Sequence, residues 1–153
     1  MSDKKIKNIF VNGPITADFI AKSICNHSSK TDIGGHSIFM GQVRKDEKGN
    51  KFIAAIEYTA CEELALTKMN EIREEVFSKY PLSCMHVHHS LGTIKAGEIC
   101  LCVFTSSKHR KQAIEACNEL VERIKSELPI WGKEIFADDT HQWKENKYDG
   151  KYH

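Results

Sequence analysis

No apolar run in the 153-residue sequence approaches the roughly 18 residues that a membrane-spanning helix needs. Neither sign of charge dominates. The 22 Lys and Arg face 21 Asp and Glu, for a net charge of +1, so no global field draws in nucleic acid or an anionic membrane. Any anionic ligand must therefore meet a local cluster of cations. A Gly-rich nucleotide fingerprint is also missing, and GQVRKDEKGN (41–50) lacks the GK[ST] ending of a phosphate loop. Repeats, low-complexity tracts and Pro/Ser-rich linkers are absent, which predicts one domain over residues 1–153. The opening MSDKKIKNIF lacks the apolar stretch and small-residue cleavage site of a secretory signal, and a cytoplasmic protein is expected.

What the chain does have begins with six cysteines, Cys25, Cys61, Cys84, Cys100, Cys102 and Cys117. Without a secretory signal they read as reduced thiols that pack as small hydrophobes. Periodicity predicts a strand over Ile6–Val11, ended by Asn12-Gly13-Pro14, and a short helix capped by Thr16 that runs to about Asn26. HSIFMGQVR (36–44) and KFIAAIEYTA (51–60) read as strands joined in a hairpin by KDEKGN. A helix with the stripe Leu64, Met69, Ile72 and Val76 is closed by Pro81. CMHVHHSLG and EICLCVFTS give two more strands around LGTIKAGE. The last long helix, capped by Ser106 or Ser107, carries the stripe Ala113, Ile114, Cys117, Leu120, Val121, Ile124 and Leu128. Pro129 ends it, IWGKEIF (130–136) is a final short strand, and the polar tail from about Asp138 is expected to be loosely ordered. The order β-α-β-β-α-β-β-α-β predicts an α+β domain with an antiparallel or mixed sheet.

The start of the last helix carries the most chemistry. Lys108, His109 and Arg110 precede free backbone N–H groups and the positive end of the helix dipole, which together suit a phosphate or carboxylate. Arg110 falls on the apolar face, where a cation needs an anion to offset its burial. Lys125 flanks the same stripe, a position where an ammonium can be partly desolvated. Lys133 follows the rigid Pro129-Ile130-Trp131-Gly132 segment and offers a second ammonium, and Arg44 ends its strand beside a loop. Arg110 and Lys125 stand 15 residues apart, roughly 22 Å along a straight helix. A small ligand touches both only if a second subunit completes the site, so a two-fold dimer with composite sites is expected. On one strand, Cys84, His86 and His88 share a face and offer metal-ligand atoms. Alternate residues there lie about 6.6–7 Å apart, too far for one ion to gather all three comfortably, so no metal is expected.

At FMGQVR (39–44), IEY (56–58), HSLGTIKAGE (89–98) and SSKHRKQAIEACNELVERIKSELPIWGKE (106–134), with Trp143 beyond, the chain resembles the catalytic (large) subunit family of molybdopterin synthase. The resemblance implies an α/β-hammerhead type of α+β fold with three helices, and a homodimer of large subunits. Each large subunit would bind one small ubiquitin-like sulfur-carrier subunit, giving a heterotetramer. The carrier's C-terminal Gly-Gly thiocarboxylate would donate sulfur to cyclic pyranopterin monophosphate, and two transfers would form the molybdopterin dithiolene. Because the sulfur arrives on the partner, no catalytic cysteine is required, and no cofactor is implied.

The family's substrate-contacting positions fall on Gln42, Val43, Arg44, His109, Arg110, Lys125, Gly132, Lys133 and Glu134. Lys125 and Lys133 are the catalytic expectations. Two positions depart from the family pattern. Gly132 stands where the first of two basic residues is usual, so Lys133 is expected to take over through the flexible glycine. Ser90 stands where an arginine is common. A carrier- and pterin-phosphate-binding module weakened by Gly132, and a metal module built on Cys84, His86 and His88, are the rival readings.

Overall fold

Strand alternation and helical spacing resolve into eleven elements in the computed structural model, which describes residues 6–144. The expected tail beyond 144, with Lys151, Tyr152 and His153, lies outside the described residues. In chain order the elements are β1 (Phe10–Asn12), α1 (Ala17–Cys25), β2 (Gly35–Gln42), β3 (Glu47–Lys48), β4 (Lys51–Ala60) and α2 (Glu62–Lys79). They continue with β5 (Leu82–Lys95), β6 (Ile99–Ser107), α3 (Arg110–Glu127), β7 (Ile130–Phe136) and β8 (His141–Trp143). Eight strands form a sheet in the order β2-β6-β5-β4-β7-β8, with β1 beside β5 and β3 beside β4. Every pairing is antiparallel except β1 with β5. This is the expected α+β class with three helices. Among the described residues, no helix is long and apolar enough to cross a membrane.

The sheet corrects the expected hairpin. β2 pairs with β6, while β4 lies between β5 and β7, and only β3 folds back on the start of β4. The reason is burial: β6 is buried along nearly its whole length, so both of its edges are covered by long strands, and β2 is one of them. The turn expected over LGTIKAGE is also shorter than read. β5 runs on to Lys95, pairing first with β6 and then, from Gly92, with β4. Gly92 holds φ at +91° where the strand changes partners, a conformation that L side chains rarely adopt.

α2 and α3 cover one face of the sheet. Their buried stripes, Ala65, Met69, Ile72 and Val76 on α2 and Ala113, Ala116, Cys117, Leu120, Val121 and Ile124 on α3, meet Met85, Val87, Leu101 and Val103. Leu64 and Ile114, both expected inside, are about half exposed. Each lies one residue, or about 100° of helix, away from its stripe. The start of β2 passes close against the start of α3. A Cβ on Gly34 would come within 2.1 Å of the Lys108 carbonyl oxygen, and one on Gly35 within 2.9 Å of Arg110 Cα, so only glycine fits there.

α3 begins at Arg110 with His109 as its N-cap, two residues after Ser107 and three after Ser106, the expected caps. Ser106 and Ser107 end β6 instead, and the Ser107 hydroxyl donates to the His109 carbonyl. The described part of the tail, through Lys144, has regular structure. Asp138 accepts from the Thr140 amide at 3.1 Å, Asp139 turns at φ 68°, and β8 pairs with β7.

Candidate active site

Strand alternation decides which face of β7 builds a site. Gly132 and Glu134 point to one side, with their cross-strand partners Tyr58 and Ile56, while Lys133 and its partner Glu57 point to the other. On the Gly132 side lies a cleft of about 310 Å³. One wall is the end of β2 and the segment after it, through Gln42, Val43 and Arg44. Another is the last turn of α3, which presents Lys125, and His89 and Cys100 complete the inner side. Six of the residues expected at the site, Gln42, Val43, Arg44, Lys125, Gly132 and Glu134, are therefore brought together from two distant parts of the chain, 42–44 and 125–134.

Lys133 is not among the residues lining this cleft. Its ammonium pairs with Glu57 at 2.9 Å and lies 5.9 Å from the Trp143 ring centre. Gly132 keeps a regular place in the β4–β7 ladder, so nothing turns Lys133 across the sheet. Lys144 lines the cleft in its place, together with Arg44, Lys48 and Lys125. β8 delivers Lys144, whose amide donates to the Gly132 carbonyl at 2.8 Å. The Lys144 residue as a whole is solvent-accessible. Its ammonium is nonetheless crowded enough that desolvation, and then the charge of Lys125, hold its pKa below the usual lysine value. A side chain on Gly132 would compete for this space, since a Cβ there would meet Ile56 Cγ2 at 2.9 Å.

Glu134 is the buried acid of the site, 3% exposed. Burial by itself would raise its carboxyl. The Gln142 hydrogen bond at 3.0 Å and the Lys48 ion pair at 2.8 Å outweigh that and hold it below the usual range. Arg44 is mostly solvent-exposed and pairs with Asp46 at 3.2 Å, leaving the guanidinium free to re-pair with an incoming anion. Tyr58 donates to Cys100 Sγ at 3.5 Å and Cys100 to the Gly41 carbonyl at 3.4 Å. Burial, then Cys100, raises the Tyr58 hydroxyl, so it stays a neutral donor.

His89 is buried against the Tyr58 ring at 5.2 Å. Burial pushes its pKa down to about 4; Lys125 and Lys144 add to this, and a bond to the Ser90 carbonyl opposes it. A histidine held neutral in the fold but titrating near 6.5 when unfolded contributes stability above pH 6.5, which is lost as pH falls through about 4. The loss amounts to about 3 kcal/mol. Denaturation midpoints measured from pH 7 to pH 4 should fall steeply for the native chain and less for His89→Gln. Equal slopes would rule out this source of acid lability.

His109 and Arg110 sit at the far end of α3 from Lys125, both exposed, so Arg110 is not on the core side as its helical angle suggested. At the first helical position its side chain clears the packed stripe. Within one chain the two ends of α3 do not meet, in keeping with the helix arithmetic. Ser90 is fully buried, with no hydrogen-bond partner for its hydroxyl, and supplies no replacement for the cation missing at that position. Tyr58, His89 and Lys144 were not singled out as site residues in the sequence. Tyr58 and His89 lie inside the motifs IEY and HSLG, and Lys144 directly follows Trp143.

Fold and cleft together define an α+β domain with a cation-lined cleft and a buried acid in its wall. The model of the MoaE protein family matches residues 14–127, and the chain belongs to this family. It is 38% identical over 117 residues to the molybdopterin synthase catalytic subunit 1 of Aedes aegypti, covering 74% of this chain and 75% of that protein. It is 34% identical over 117 residues to the catalytic subunit of Pyrococcus abyssi, covering 76% and 78%. Against the Drosophila willistoni catalytic subunit it is 37% identical over 116 residues, which is 74% of this chain but 31% of that longer protein. The chain thus spans about a third of that fly relative. Molybdopterin synthase from Staphylococcus aureus superimposes with a TM-score of 0.79 at 29% identity, covering 93% of this chain and 100% of that one. A complex of subunits 1 and 2 of the molybdopterin-converting factor from Helicobacter pylori shares the fold, with a TM-score of 0.76 at 19% identity, covering 91% and 90%.

Proposed function

We propose that this chain is the catalytic subunit of a molybdopterin synthase. It moves sulfur from the thiocarboxylated Gly-Gly terminus of a small ubiquitin-like carrier to cyclic pyranopterin monophosphate, forming the dithiolene of molybdopterin in the cytoplasm. The observation that carries the reading is the cleft that gathers Arg44, Lys125 and Lys144 beside Gly132. A thiocarboxylate and a phosphate are both anions, and a glycine in the wall leaves room for a narrow peptide tail. The thiocarboxylate sulfur bonds to a pterin carbon and displaces an oxygen there. Water then attacks the acyl carbon and breaks its bond to sulfur, so that the carrier ends as a carboxylate. Lys125 and Lys144 offset the negative charge and carry the proton from the water to the displaced oxygen. Glu134, fixed by Lys48 and Gln142, keeps its negative charge within the wall and orients polar groups of the pterin.

His109 and Arg110 act from a second copy of the chain, binding the pterin phosphate at the start of that copy's α3. The outer edge of β2 has no strand beside it among the described residues, and Met40 on β2 and Ile114 on α3 are exposed nearby. Such an edge with apolar neighbours is suited to a homodimer. With one carrier per large subunit, the assembly is a heterotetramer. The test combines purified chain, thiocarboxylated carrier and cyclic pyranopterin monophosphate, and assays the dithiolene. Product formation supports the reading. Binding of both partners without turnover would point instead to a carrier- and pterin-binding module, weakened in catalysis by the basic residue missing at Gly132.

Because the sulfur comes from the carrier, Cys100 is a wall residue and not a nucleophile. Cys100→Ala should leave turnover within about threefold of the native value, the scale of a small packing change. A loss beyond about 100-fold in a folded variant would show that a persulfide or thioester on this thiol is part of the reaction.

A further inference from the structure

On the face of the sheet opposite α2 and α3, histidines gather around Phe104. Strand pairing puts Cys84 and His36 opposite Ser106, and His86 opposite Phe104, so their side chains share that face. The turn after α1 adds His27, whose ring stacks on Phe104 at 4.7 Å. One ligand atom each from His27, Cys84 and His86 lies within 4.8 Å of the other two. This replaces the trio read along one strand: His88 packs against Phe19 at 4.7 Å instead, and a residue from another element makes the close approach that strand spacing denied.

We propose that His27, Cys84 and His86 form a binding site for a thiophilic d10 metal ion, with Zn2+ as its reference occupant. The two imidazole Nε2 atoms stand 3.1 Å apart. Zinc–nitrogen bonds of about 2.0–2.1 Å place two nitrogens of a tetrahedral site about 3.3–3.4 Å apart, so a shift of a few tenths of an ångström suffices. His27 Nδ1 lies 2.7 Å from the Ser23 carbonyl. A carbonyl can only accept, so Nδ1 carries the proton and Nε2 presents its lone pair to the cluster. Backbone support of this kind fixes the tautomer of metal-bound histidines. Two imidazoles with one thiolate suit zinc or monovalent copper rather than calcium or magnesium. His27 and Cys84 are both buried, and three protein ligands leave the fourth position of a tetrahedral zinc ion to a water. His36, with its ring centre 6.0 Å from that of His27, is held by the Ser106 hydroxyl. The ion has a structural task available. α1 buries none of its own residues, and a metal joining His27 to β5 would pin that helix to the sheet.

The site is separate from the sulfur-transfer cleft and does not depend on that reading. The test strips the full-length protein with chelator and titrates it with Co2+ as a spectroscopic probe, then with Zn2+ in competition with a chromophoric chelator. One equivalent should bind, giving tetrahedral d–d bands and a thiolate-to-cobalt charge-transfer band, and Zn2+ should raise the melting temperature. Cys84→Ser should remove the charge-transfer band. Altering supporting residues of a metal site typically costs 10–100-fold, so loss of a ligand in His27→Gln should weaken Zn2+ binding by more than about 100-fold. His88→Gln should change neither. His86→Gln, at a half-buried position, serves if Cys84→Ser does not fold. A native protein without the charge-transfer band, or Zn2+ affinity unchanged in His27→Gln or His86→Gln, would overturn the proposal.

Discussion

Arg110→Ala and Lys125→Ala proteins, each lowered about 100-fold or more in turnover by loss of one charge-stabilising group, should recover about a quarter of native activity when their subunits are mixed and exchanged. The arithmetic follows from α3. Its two ends lie roughly 22 Å apart along one straight helix, so a site using both cations draws one from each subunit. Random exchange makes about half the dimers hybrids, and each hybrid has one site with both cations intact and one with neither. The measurement is dithiolene formation before and after subunit exchange. Recovery to about a quarter supports shared sites. No recovery, with hybrid formation confirmed by mass spectrometry, would place Arg110 and Lys125 in separate roles.

The second large effect separates Lys133, expected from the sequence, from Lys144, which the structure brings to the cleft. Lys144→Gln should lower turnover by about 10- to 100-fold, the range for one positioned charge or proton-transfer group. Lys133→Gln should change it by less than about threefold, since its partly exposed cross-strand ion pair faces away from the cleft and is worth about 1 kcal/mol. The contrast rests on the alternation of β7. Lys133 pairs with Glu57 on one face, while Lys144 reaches the cleft over Gly132 on the other. A pH–rate profile sharpens the test. Lys144 titrates below an ordinary lysine because of desolvation and Lys125, so the alkaline limb of the native profile should move or vanish in Lys144→Gln. It should stay in place in Lys133→Gln. If Lys133→Gln carries the larger loss, the assignment of the second ammonium to Lys144 fails.

Much of this fold was legible because helices are specified locally. The stripe of α3 and its end at Pro129 follow from spacing that any isolated segment would show. Misreadings of Leu64 and Ile114 were errors of a single helical position, within the width of an amphipathic stripe. The strands behaved differently. KDEKGN looked like a hairpin turn, yet the long partners of β2 and β4 come from elsewhere in the chain, because sheet order is set by which strands are buried.

By itself, the sequence determined that the chain forms an α+β domain, that cations stand at both ends of its last helix, and which motifs mark the family. These follow from periodicity and residue type, which each segment carries wherever it is placed. Only the tertiary structure decided that Gly132 and Glu134 face the cleft while Lys133 turns away, that Lys144 stands over the glycine, and that His27 joins Cys84 and His86. Those outcomes depend on strand register and on contacts between residues far apart in the chain. A one-residue slip along β7 would exchange the two faces, and nothing in the local spacing of charges records which register the sheet adopts.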